Sequence, residues 1–216
     1  MPHFIEQLEP RRLLSASLTA AHRATHRIEV KNSQVSIDAK LVQTDLKDMR
    51  QLGVQWVAVQ KKEVQQIGAM LHPLSASNKQ LLDNVLSALP IVKGLFKSIT
   101  GAAAEDNKAV AGVRSGYVLF LNHPGDSFAI GKFSSAIDTL SSTRGVLNGL
   151  LSETPGAQQQ VTLNLAPIVN ANSSIEIRVD AAIANINAKG QALSDKADQI
   201  SNHTDQLLND AQAALQ

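Results

Sequence analysis

The 216-residue chain has no cysteine, sets 20 Lys and Arg against 19 Asp and Glu, and is 44% hydrophobic but only 3% aromatic. This excludes disulfides, thiolate nucleophiles and Cys-ligated metal centres, and it leaves no basic footprint for nucleic acid. With so few aromatic rings the core must be built from Leu, Ile, Val and Ala, which favours helix on helix over a β-sandwich or an aromatic-lined pocket.

The N-terminus differs from an ordinary secretory signal, which needs a run of consecutive apolar residues. Glu6, Glu9, Arg11 and Arg12 interrupt the apolar positions, and Pro10 is poorly placed for a helix interior. The run Leu8-Glu9-Pro10-Arg11-Arg12-Leu13-Leu14, preceded by Ile5-Glu6 and extended by Ser15-Ala16, resembles the LEPR-XLL motif found at the N-termini of bacterial proteins. The resemblance covers residues 4–16. It implies a sorting or export signal carried by Leu8, Glu9, Pro10, Arg11, Leu13 and Leu14, and hence an exported or envelope-associated protein. It implies no fold for the remainder. Residues 17–32 read as a linker or frayed helix. His22 and His26 are four apart, as in half a zinc site. The glutamate of a His-Glu-x-x-His motif is missing, so no metal is expected there.

A helical domain is expected over 33–216. From Ser33, apolar residues at Val35, Val42, Leu46, Met49, Trp56, Val64, Ile67 and Leu71 recur on one helical face, with Asp38 and Asp45 placed mostly away from it. His72-Pro73 should stop this helix, since the residue before proline avoids the helical region. Gly53 is either a weak point or a place where a neighbour comes close. A second helix begins near Ser77 or Asn78, carries Pro90 and stops at Gly101. A third runs from about Glu105 to Leu121. Asn122-His123-Pro124-Gly125 signals a turn, and Asp126 is a good N-cap for a fourth helix that ends before Thr154-Pro155-Gly156. Residues 161–165 alternate in the strand sense but lack a partner strand, so helix is favoured. The last helix, capped by Ser173 or Ser174, has a heptad-like seam running from Val179 through Ile186, Leu193, Ile200 and Leu207. Such a narrow seam needs a partner, and the first long helix is the natural one. The expected fold is an all-α, elongated bundle of about four to six helices, with long first and last helices and a coiled-coil-like C-terminal helix.

No phosphate-binding loop, dinucleotide fingerprint or nucleophile elbow is present. His123, Asp126 and Ser127 are close in sequence, but a capped turn explains them without catalysis. Neither an enzyme nor a cofactor is therefore expected. Nothing points to a nucleic-acid partner or a small-molecule substrate. Lys93 and Arg114 break the most apolar stretches, so no transmembrane helix is expected. The reading is an exported or envelope-associated helical scaffold or interaction protein. It would act through helix–helix association with another protein or another copy, using the seam Ile186, Leu193, Ile200 and Leu207. The alternative is a lipid- or surface-binding protein using the amphipathic stretch 86–99, whose Lys93 and Lys97 flank an apolar face.

Overall fold

The computed structural model describes residues 33–71, 75–171 and 173–216. Among them the chain is all-α, with no strands: α1 Gln34–Met70, α2 Ala76–Asn122, α3 Ser127–Ser152, α4 Thr154–Ala171 and α5 Glu176–Ala213, with a 3₁₀ turn at Ser173–Ile175. Local chemistry sets most of the ends. The Ser33 hydroxyl accepts from the Ser36 amide, Ser75 from Asn78 and Asp126 from Phe128, each satisfying an amide that the first helical turn leaves unpaired. Gly125 closes the α2–α3 turn at φ 86°, a conformation that L side chains rarely adopt.

Two expected boundaries are corrected. Gly101 does not stop a helix: the second and third expected helices are one 47-residue helix. A helical glycine costs only about 1 kcal/mol relative to Ala, and burial of Ile99 and Ala103 on either side carries the helix through. Neither Ser173 nor Ser174 caps the last helix. Ile175 holds the cap position without a side-chain bond. The 3₁₀ turn tightens the entry instead, and Glu176 complements the positive helix end.

Pro90 and Pro167 both lie inside helices. Each removes the amide that would bond the carbonyl four residues earlier. Those carbonyls belong to Leu86 and Leu163, which are exposed, so water can take the missing bond. Leu163 also explains why 161–165 is helical: Ala157, Val161, Leu165 and Ile168 fall on the buried face, and Leu163 points outward.

The helix pair with the most extensive contact is α1 with α5, the first and last elements, running antiparallel. α2 packs on α3, α1 and α4, and α4 and α3 also meet α5. Glycine permits close approach at two places. The Phe96 ring lies directly on Gly53. A Cβ on Gly116 would come within 3.0 Å of the Phe133 Cα. Phe133 is fully buried beside Tyr117 and Phe120, with ring centroids 5.5 and 5.7 Å away. Among the described residues one helix, α2, is long and apolar enough to cross a membrane by length and composition.

Candidate functional site

Beside the apolar seam of α5 runs a second row, Lys189, Lys196, His203 and Asp210, spaced seven residues apart. A seven-residue step returns to nearly the same side of a helix. The row therefore meets α1 repeatedly, and in antiparallel order. Lys189 Nζ donates to Gln55 Oε1 at 2.9 Å. Lys196 Nζ reaches Asp45 Oδ1 at 3.2 Å and Asp48 Oδ2 at 3.5 Å. His203 Nδ1 is 2.6 Å from Asp45 Oδ2. Asp210 faces Asp38. Toward the other end of the pair, Arg178 bonds Glu63 and Gln66, and Asn185 Nδ2 donates to Glu63 Oε1 at 3.2 Å. These groups fix register: a slide of one turn separates every pair, and removing one partner leaves the other charge uncompensated at a half-buried contact.

The sequence places Asp38 and Asp45 mostly away from the buried face; the structure corrects this. They are 1% and 8% exposed, because their partners lie on a helix more than a hundred residues later.

The Asp38–Asp210 pair joins two acids. The Oδ2 atoms of both are buried and unpartnered. A hydrogen bond between the two carboxyls needs a proton, and Asp38 is the acid that holds it. Burial, then the hydrogen bond that protonated Asp38 donates to Asp210, raises Asp38 from its ordinary 3.8 to about 6, while Gln34 and His203 pull the other way. The folded state thus holds this proton more tightly than the unfolded one. Its contribution to stability is fully present below about pH 4 and is lost as pH rises through about 6. Asp38→Asn keeps the neutral form at every pH. Its advantage over the parent chain in thermal midpoint is expected to be small near pH 4 and to grow to several degrees near pH 7. Melts followed by circular dichroism at both values check this; a pH-independent difference contradicts the pairing.

A second buried acid ties α2 to α3. Asp106 is fully buried, and burial raises its pKa, although it accepts from Thr143 Oγ1 at 2.8 Å and has Arg144 near. Arg144 turns to α5, where it bonds Asp205 and Ser201.

The third polar junction is centred on Trp56, the only tryptophan. Its indole N–H donates to Gln158 Oε1 at 3.1 Å, and Gln158 Nε2 donates to Asn187 at 2.8 Å, joining α1, α4 and α5. Gln158 lies against Gly190, where any Cβ would overlap its amide. Gly190→Ala is expected to push Gln158 aside and strand the buried indole N–H, at a cost of about 1–3 kcal/mol. A shift in the emission of the sole tryptophan, together with a lower unfolding midpoint, is the readout; unchanged emission would mean that the amide does not depend on the glycine.

The seam residues Ile186, Leu193, Ile200 and Leu207 are at most 1% exposed inside the bundle, so α1 and its neighbours already cover them. The structure does not bring His123, Asp126 and Ser127 together as a reacting group: the Asp126 carboxylate accepts from the Phe128 amide and acts as a cap. In the 86–99 stretch, Val92 and Ile99 are core residues, while Leu86, Ile91, Lys93 and Lys97 are exposed. The motif residues Leu8, Glu9, Pro10, Arg11, Leu13 and Leu14, the 17–32 segment and the His22/His26 pair lie outside the described residues. Among the described residues no group of three or more His, Asp or Glu is placed to hold a metal ion. Sequence reasoning missed the polar row on α5, although the seven-residue recurrence of Lys189, Lys196, His203 and Asp210 was there to be read. Neither a known family model nor a curated relative matches this chain.

Proposed function

We propose that this chain is a non-catalytic helical scaffold, exported or held at the cell envelope, that presents helix faces to a protein partner. The observation that carries the reading is the α1–α5 pair: its Lys, Arg, His and Asp side chains are engaged one against another along two long helices, rather than converging on a cleft. The LEPR-XLL resemblance at residues 8–14 supports the location. Exposed aliphatic residues such as Val54, Val146 and Ile177 supply surface for association, since the seam itself is covered within the chain.

Mass spectrometry of the native protein from separated cell fractions tests the location. Recovery from the envelope or medium, lost when residues 1–16 are deleted, is the expected result. An intact N-terminus found only in the cytosolic fraction overturns it. Light scattering tests the self-association version, which a strict monomer at every concentration defeats.

A further inference from the structure

The apolar stretch of α2 is only partly covered by the core: 22% of its most apolar 18-residue window is buried, and Leu89, Leu95 and Phe96 are half-buried against it. Part of the remainder forms one wall of a groove between α1 and α2, with a volume of about 420 Å³. That is within the usual range for small-ligand sites, roughly 300–1,000 Å³. Val57 comes from α1, Leu86 and Leu89 from α2, and Val92, 1% exposed, forms the floor. Lys61 and Lys93 stand on the two walls. Both are exposed, and neither has a carboxylate partner among the described residues. The carboxylates nearest in sequence do not line the groove: Glu63 is turned to Arg178 on α5, and Asp83 is absent from the walls. The site is therefore an apolar trough with two unmatched positive charges on its rim.

We propose that this groove binds one single-chain anionic amphiphile, a fatty-acid carboxylate, with its acyl chain along Val57, Leu86, Leu89 and Val92 and its carboxylate between Lys61 and Lys93. Concavity decides between this and a membrane surface. A flat bilayer cannot reach the Val92 floor, whereas an extended hydrocarbon chain lies along it. Burying the chain supplies affinity at about 0.8 kcal/mol per methylene, and the two ammonium groups orient the head.

The test is calorimetric titration of the full-length protein with laurate below its critical micelle concentration. One saturable site is expected. The Lys61→Ala/Lys93→Ala variant should bind about tenfold or more weakly, the scale of losing charge-assisted hydrogen bonds. The uncharged ester methyl laurate should lose a similar factor on the parent protein. Leu89→Trp, which fills the trough, should abolish binding. Lys61 and Lys93 are exposed, so the double variant should keep the parent's melting midpoint. Equal affinity for laurate and its ester overturns the proposal, as does unchanged binding by the lysine variant. Lysine-dependent attachment to phosphatidylglycerol vesicles without binding of monomeric laurate also overturns it, in favour of a membrane-surface role.

Discussion

Ile200→Asp is expected to unfold the bundle. Ile200 is fully buried on α5, and the aspartate would need either to carry its charge into an apolar contact or to take up a proton there. The nearest cations are committed: Lys196 and His203, one turn on either side, are already engaged with Asp45. Loss of the isoleucine side chain adds a cavity. The combined cost should exceed about 4 kcal/mol, a large share of the 5–15 kcal/mol that holds a typical domain together. Circular dichroism should show a collapse of the helical signal or a steeply lowered midpoint. Retention of the parental midpoint would mean that α5 does not use this seam within the chain. Because the substitution strikes the fold itself, it does not separate folding from association. Val54→Asp or Ile177→Asp, at exposed positions, are the cleaner probes of a partner surface.

Phe133→Ala is the second large effect. Phe133 is fully buried at a close approach of α2 and α3, with its Cα against Gly116 and its ring beside Tyr117 and Phe120. Truncation should cost about 3–5 kcal/mol, combining lost transfer energy and an unrelaxed cavity. Denaturant titration measures it directly. A loss below about 1 kcal/mol would place Phe133 at a site that collapses freely. Phe133→Leu, which keeps most of the volume, should recover much of the loss.

These two sites bracket what was legible in the sequence. Ile200 could be read in advance because a seven-residue recurrence of aliphatic residues specifies a buried stripe whatever covers it, and the pairing of first and last helices followed from their lengths. The helix starts at Ser33 and Asp126 were likewise legible, because capping is local chemistry. Gly101 was misread because a local propensity of about 1 kcal/mol is small beside the burial of Ile99 and Ala103. Asp38 and Asp45 were placed outward because periodicity in a single helix cannot supply the Lys, His and Asp that meet them from α5. The Gln158–Gly190 contact and the α1–α2 groove depend on how helices distant in sequence come together, and no spacing within one segment encodes that.

The pairing of α1 with α5 also sets the order in which a newly made chain can complete itself. The stripe containing Val42, Leu46 and Trp56 leaves the ribosome with α1, yet its principal cover ends at Ala213. At 5–20 residues per second, that stripe waits roughly 7 to 30 seconds for its partner. Throughout that interval the face of α1 that α5 later covers stays open, an aliphatic surface for a chaperone to hold until α5 is made.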